Sequence, residues 1–263
     1  MAPNIDYINK NTMRASVMDY AGITTLSLPE AAALITCGDG VRGKPILDLG
    51  VGAGRTVEPL NVISTDYIGI DYIEEMVAAC RTRYPDVRFK HADARSLTEF
   101  RDKSFALIVF GCNGISMVDH VGRLAILKEV YRLLTPGGFF IFSTYNRNNP
   151  RYKIFFQFPA FSFTSDPAKL AVRLARFFLH AAARAINRIR FKLYEQQNLE
   201  YAIVNDVCHD YATMLYYIFT NDQRRQLEVM GFLPHATVFD LRGYEVASDT
   251  LDDSLTFLAR KPL

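Results

Sequence analysis

Three glycines stand at alternate positions, Gly50, Gly52 and Gly54, directly after the apolar run Ile46-Leu47-Asp48-Leu49, and Arg55 and Thr56 follow them. A backbone without Cβ atoms turns tightly and lets a ligand come close. A helix beginning just after such a turn aims its free N–H groups at that ligand. Asp71 ends the next apolar run, about 20 residues on, where an acid accepts hydrogen bonds from a ribose. Together these residues predict a site for an adenosine-containing ligand at the carboxyl ends of parallel strands.

The spacing narrows the ligand. A dinucleotide fingerprint reads G-x-G-x-x-G, but position 55 is Arg55 and the third glycine is Gly54. Asp48 inside the strand suits a ligand carrying an ammonium and a sulfonium better than a pyrophosphate. For acid–base chemistry the first choice is His209 beside Asp210 and Tyr211, in a segment expected to cover the pocket. A surface or hydrogen-bonded histidine is the plainer account of His209. His120, in the first turn of a helix, is expected at the surface, and His91 in the strand leading to Asp93. Cys37, Cys80, Cys112 and Cys208 form no CxxC pair and have no histidines at zinc spacing, so four reduced thiols and no metal are expected.

The elements that must position these residues are legible as alternating units. Ile46–Leu49, Tyr67–Ile70, Val87–His91, Phe105–Phe110 and Phe139–Ser143 read as strands, the fourth apolar enough to be buried on both faces. Ile73–Arg83 has helical spacing and stops before Pro85; Asp119 can cap a helix that runs to Leu134 and ends at Thr135-Pro136-Gly137-Gly138. Two short helices are expected before residue 45, with Pro29 in the first turn of the second. Alternating βα units of this size predict a doubly wound, mostly parallel sheet with helices on both faces. After Tyr145 the pattern breaks. An Asn-, Pro- and Phe-rich stretch (146–168) precedes a helix over 169–192, a β-like stretch over 199–219, a helix over 221–230, and strands near 237–241 and 254–259.

With 49% apolar and 22% charged residues among 263, the chain can bury a large core and stay in solution, and its net charge of +2 gives no support to nucleic acid as a partner. The stretch Met1–Arg14 is polar, and the longest apolar run, Phe105–Val118, falls short of the roughly 20 residues of a membrane span. A cytoplasmic protein is expected.

Five segments in order resemble the class I S-adenosylmethionine-dependent methyltransferases, of the bacterial small-molecule type: "LDLGVGAGRT", "YIGIDYIEEMV", "FKHADARSL", "FALIVFGCNGISMV" and "LKEVYRLLTPGGFFIFSTYN". The resemblance covers residues 45–145 closely and the rest loosely. It implies a Rossmann-like α/β fold with a seven-stranded sheet, an antiparallel C-terminal hairpin and an insertion after strand five. It implies S-adenosyl-L-methionine as cofactor and S-adenosyl-L-homocysteine as product. By this resemblance the glycine loop holds the methionine part, Asp71 the ribose and Asp93 the adenine amino group. Tyr72 and Ala94 border the adenine, Phe110, Gly111 and Cys112 lie near the sulfonium, Arg55 near the cofactor carboxylate, and Tyr20 over the methionine end. Asn113 and Tyr145, after strands four and five, and Tyr211 are the expected acceptor contacts, with His209, Asp210 and Tyr145 as the catalytic set. Four regions follow: N-terminal helices (1–44), cofactor core (45–145), substrate-covering insertion (146–215), and C-terminal helix and hairpin (216–263).

The expected reaction is methyl transfer to an oxygen or nitrogen of a small-molecule acceptor by in-line displacement, with a base where the acceptor holds a proton. An NAD(P)-dependent oxidoreductase, disfavoured by Arg55, and a non-catalytic cofactor-binding or membrane-associated protein are the alternatives. Within the insertion, Lys169, Arg173, Arg176, His180, Arg184 and Arg188 recur at spacings of 4, 3, 4, 4 and 4, one stripe on a helix opposite Val172, Leu174, Phe178 and Ile186. A solvated face, with the apolar side packed on the core, is the first expectation. An acidic acceptor and peripheral contact of 169–192 with an anionic membrane are the functional readings. Acceptor identity and oligomeric state stay open at this point.

Overall fold

The sheet is built outward from two fully buried strands, β1 (Ile46–Leu49) and β4 (Phe105–Phe110), which are hydrogen-bonded side by side and parallel. The computed structural model describes residues 5–17, 24–247 and 250–263. On one side of β1 lie β2 (Tyr67–Asp71) and β3 (Arg88–His91); on the far side of β4 lies β5 (Leu134–Asn146), and all five strands run parallel. Strand order therefore reverses between β1 and β4, the switch point where an open α/β sheet leaves a crevice beyond its carboxyl ends. Strand β10 (Ser254–Arg260) runs antiparallel along the outer edge of β5, and β9 (Thr237–Phe239) pairs with β10. These are the seven strands of the expected fold.

Helices α1 (Ile5–Ala15), α2 (Leu28–Cys37), α3 (Val57–Ile63), α4 (Glu74–Arg83), α5 (His120–Leu133), α6 (Pro167–Phe191) and α7 (Thr220–Val229) are the α-helices of at least seven residues among the described residues. The Thr135-Pro136-Gly137-Gly138 stretch differs from expectation. It does not separate α5 from the next strand but is looped out of β5, because Leu134 already pairs with Phe105 and the register then jumps to Leu107 opposite Phe139. Such a bulge absorbs residues that cannot join a ladder.

The insertion adds three strands to the same sheet. Strand β8 (Thr213–Ile218) pairs parallel with Tyr145 and Asn146 of β5; β7 (Tyr201–Asp206) pairs antiparallel with β8, and β6 (Gln196–Gln197) with β7. Tyr145 has Ser254 of β10 at its other edge, so β8 occupies the edge that β4 holds up to Phe142. The β7–β8 hairpin thus stands directly beyond the carboxyl end of β4, over the crevice. The expected division at 215 falls inside β8. Helix α1 stitches onto this hairpin: the Asn9 amide donates to Met117 O (2.6 Å) and Met214 O (2.8 Å) and accepts from Met214 N (2.8 Å).

Helix α6 divides the basic stripe, and only part of it forms the expected solvated face. Arg173, Arg184 and Arg188 face inward, whereas Lys169, Arg176 and His180 are exposed. Arg173 donates to the carbonyls of Ser162 and Phe163, Arg184 to that of Gln157 and Arg188 to that of Phe155, so the arginines fasten the Phe-rich segment lengthwise to the helix. Arg184 also pairs with Asp210 (2.7 Å) and Arg188 with Glu195 (2.5 Å). An extended segment with no neighbouring strand must find donors for its carbonyls, and guanidinium groups with several N–H donors supply them. The apolar side, expected to pack on the core, is the exposed one.

Candidate active site

Beyond β1 the chain makes the glycine turn. Gly50 and Gly52 have φ of +60° and +57°, a region glycine enters without strain. A Cβ at Gly50 would lie 2.6 Å from the Phe110 ring, whereas one at Gly52 would find nothing nearer than Gly50 O at 4.0 Å, because Gly52 opens onto a cavity. Gly54 does not border that cavity; a Cβ there would lie 2.7 Å from the Tyr84 ring, so its place is under α4. Asp48 borders the cavity but one of its oxygens is taken by the Thr56 hydroxyl and by Tyr67 Oη (2.8 Å). Burial pushes its carboxyl up to about 6 against those two donors.

Asp71, at the tip of β2, is the better-placed acid. Its Oδ2 accepts from Gly52 N (2.9 Å) and its Oδ1 from Ile73 N (2.8 Å), which fixes the carboxylate against the glycine turn. Burial raises it to about 6, opposed by those backbone donors. Each oxygen keeps a second lone pair, so the pair of oxygens can still accept from a vicinal diol. Tyr72, Asp93 and Ala94 border the same cavity. Asp93 is held by Arg95, whose Nη2 lies 2.6 Å from it and whose other amino group reaches Asp6 of α1. Burial raises the Asp93 carboxyl, but the Arg95 bonds and charge outweigh it and hold it below the usual range.

Arg55 borders the cavity, yet its charge is met inside the protein. Its Nη1 and Nη2 reach the two oxygens of Glu30 on α2 at 2.7 and 2.6 Å, and Nη1 also donates to Thr25 O. Glu30 Oε2 accepts in addition from Ser27 N and Oγ, at 2.8 and 2.9 Å. Burial would raise the Glu30 carboxyl; the Arg55 bonds and charge and the Ser27 donors together hold it below the carboxylate range. The pair lies against Gly111, where a Cβ would come within 2.4 Å of Glu30 Oε1.

The far end of the cavity is closed by residues from the loop after β4, the end of β5 and the insertion: Met117, Val118, Tyr145, Cys208, His209, Thr213 and Leu215. Phe110 and Cys112 also line the cavity. Tyr145 Oη lies 3.8 Å from Cys208 Sγ; burial pushes the phenol well above its ordinary value and the Cys208 thiol up to about 12, so both keep their protons. His209 Nδ1 is 3.2 Å from Ser16 Oγ, just beyond α1.

The structure separates His209, Asp210 and Tyr211. All three have positive φ (50°, 54° and 60°), so this left-handed turn sends neighbouring side chains in different directions. His209 borders the cavity. Asp210 instead accepts from His180 Nδ1 (2.5 Å) and Arg184 Nε (2.7 Å) on α6. Tyr211 is buried, stacked on Phe156 and accepting from Gln157 N (2.8 Å). Asp210 and Tyr211 therefore do not face the cavity, because the insertion uses them to hold α6 and the Phe-rich segment. Asn113 does not border it either; its backbone N–H donates to Ser143 Oγ (2.7 Å). His91 pairs at 2.7 Å with Glu74, and His120 bonds Tyr216 Oη at 2.8 Å. Tyr20 lies outside the described residues. Arg95, Cys208 and Leu215 line the cavity and Glu30 pairs with Arg55, although the sequence does not mark these four as site residues. Ser27-Leu28-Pro29-Glu30 has the S-x-x-E form of a capping box, which could have marked Glu30 as a helix-start residue. Among the described residues no cluster of His, Cys, Asp and Glu could hold a metal ion.

The chain is similar to known proteins in sequence and in fold. Residues 46–138 match the family described as "Methyltransferase domain". The chain is 33% identical over 106 residues to a Mycolicibacterium smegmatis protein named "Probable S-adenosylmethionine-dependent methyltransferase", a match covering 40% of this chain and 39% of that protein. The chain spans less than half the length of the curated relatives it matches first, 39% and 48%. A solved S-adenosylmethionine-dependent methyltransferase from Clostridium acetobutylicum superposes with a TM-score of 0.60 at 14% identity, over 90% of this chain and 92% of that one. A Burkholderia thailandensis 1,6-didemethyltoxoflavin-N1-methyltransferase, solved with 1,6-didemethyltoxoflavin and S-adenosylhomocysteine, superposes with a TM-score of 0.58 at 14% identity, over 97% and 88%. Residues 46–138 thus match a methyltransferase domain, set in a fold shared with solved S-adenosylmethionine-dependent methyltransferases.

Proposed function

We propose that this chain transfers a methyl group from S-adenosylmethionine to an oxygen or nitrogen of a small, largely apolar acceptor. One observation carries the reading: a single cavity runs from the glycine turn and Asp71 to Tyr145, His209 and Leu215. S-adenosylmethionine supplies an electrophilic methyl on a sulfonium, so the chemistry demands alignment and dryness more than covalent help. Asp71 accepts from the ribose hydroxyls and the opening at Gly52 takes the methionine end. The β7–β8 hairpin and α1 form the roof that excludes water. Met117, Val118 and Leu215 give the acceptor an apolar seat, and no residue of the basic stripe borders the cavity. The Tyr145 phenol, kept protonated by burial, donates a hydrogen bond to the acceptor. His209, oriented by Ser16, takes the proton that an alcohol, phenol or ammonium must lose.

The test is transfer of labelled methyl from S-adenosylmethionine to a panel of apolar phenols and amines, with wild type and His209→Gln. His209→Gln is expected to lower turnover of a hydroxyl acceptor roughly 100-fold and to leave S-adenosylhomocysteine affinity unchanged. Full activity in His209→Gln refutes its role as base. Failure of the wild type to methylate any acceptor on the panel refutes the substrate class.

A further inference from the structure

Helix α6 is amphipathic in the reverse sense for a helix on a protein surface. Its inward side carries Arg173, Arg184 and Arg188, with Arg188 only 5% exposed, whereas Phe178, Leu179, Ile186 and Ile189 are 66%, 69%, 63% and 78% exposed. At 3.6 residues per turn, Phe178, Leu179, Ala182, Ile186, Ile189 and Leu193 fall on one outward strip with no polar side chain among them. The segment held alongside adds Phe155, Phe158 and Phe163 at 68%, 68% and 77%. A contiguous apolar surface of this kind marks an interaction site on a soluble fold.

The surrounding charge says what the partner is. Between Arg151 and Tyr194 the chain has nine Lys and Arg against one acid, Asp166, although the whole chain is only +2. Glu195, Asp210 and Asp253 pair with cations of this stretch, and nine cations less these three and Asp166 still leave an excess of five around this face, so the rest of the molecule is net negative. Lys153, Arg176 and Arg190 are exposed and make no ion pair among the described residues. On the helix wheel Arg176 and Arg190 border the apolar strip. A second copy presenting the same face would set these charges against themselves. An anionic lipid surface meets both features, apolar acyl chains beneath and phosphate at the rim. Among the described residues no helix is long and apolar enough to cross a membrane, so the geometry is that of a helix lying in the interface.

We propose that the outward face of α6, with the Phe-rich segment beside it, docks this chain on the surface of an anionic phospholipid bilayer. The site stands apart from the cavity but is linked to it. Asp210 ties His180 and Arg184 of α6 to the turn that carries His209. Docking therefore seats the roof of the cavity on the membrane.

The experiment is co-sedimentation of the full chain with vesicles of phosphatidylcholine alone or mixed equally with phosphatidylglycerol, at low and high salt. Binding to the anionic vesicles that weakens with salt is expected. Leu179→Asp/Ile186→Asp is expected to abolish it, and Lys153→Gln/Arg176→Gln/Arg190→Gln to weaken it about fivefold per charge, near a hundredfold in all. These side chains are exposed, so circular dichroism should show native melting in both variants. No binding to anionic vesicles, equal binding to neutral ones, unchanged binding of the Asp variant, or a lipid-free dimer dissolved by that variant would each overturn the proposal.

Discussion

Removing one member of the Glu30–Arg55 pair should do more damage than removing both. Side-chain exposures of 4% for Glu30 and 14% for Arg55 leave little water to compensate either charge. Deleting one partner of a buried pair costs roughly 3–5 kcal/mol, because the other charge is left without a counterion, whereas replacing both by neutral groups is often close to neutral. Glu30→Gln and Arg55→Met should each lose about 3 kcal/mol, and the double variant about 1 kcal/mol for the Ser27 and Thr25 hydrogen bonds that change. The coupling is then several kcal/mol, far beyond the few tenths seen between independent sites. For a chain of this size each kcal/mol moves the melting midpoint by roughly 2–4 °C, so each single variant should melt about 6–12 °C lower and the double near wild type. Thermal unfolding followed by circular dichroism reads this directly. The pH dependence has a definite sign. Glu30 is depressed in the fold below its ordinary 4.5, so its contribution is complete above that value and fades as pH falls through the folded value. The gap between wild type and Glu30→Gln should therefore narrow in acid. Losses that simply add in the double variant would refute the argument that the pair acts as a neutral unit.

Three further outcomes follow from the same geometry. Asp71 sits near 6 in the fold, above its ordinary 3.8, so its ionisation works against folding as pH rises between those values, while ribose hydroxyls need the ionised form. Calorimetry should show S-adenosylhomocysteine affinity falling about tenfold per pH unit below 6, with Asp71→Asn weak and flat; a pH-independent wild type would contradict this. Gly50→Ala drives a Cβ into Phe110 and should cost about 3 kcal/mol in urea unfolding. Gly52→Ala should cost about 1 kcal/mol yet lose the cofactor by filling the opening, and equal stability losses would show the cavity misassigned. Asp210→Asn removes the charge facing Arg184 and His180. It should lower the melting midpoint by a few degrees, about 1–2 kcal/mol discounted for partial exposure, with cofactor affinity intact; a loss of turnover at full stability would restore it as a catalytic residue.

The amino-acid sequence alone determined the parallel core, the glycine turn, the acid within β1 and the acid at the tip of β2. Each is written in local spacing: apolar runs of strand length, glycines where the chain bends, and an acid at a fixed distance along one βα unit. Tertiary structure decided which groups face one another across long separations. Arg55 was legible as a residue of the loop, but its partner Glu30 lies 25 residues earlier on another element, and no periodicity links them. His209, Asp210 and Tyr211 read as one constellation because they are adjacent, and the left-handed turn points them to three different places. The basic stripe on α6 is legible in the spacing, but that Arg173, Arg184 and Arg188 turn inward while the apolar side is exposed is not. Periodicity shows that a helix has two unlike faces, but which face turns inward depends on what is there to receive it. Here that neighbour is an extended segment with carbonyls to satisfy, and guanidinium donors bind it better than Phe and Ile could.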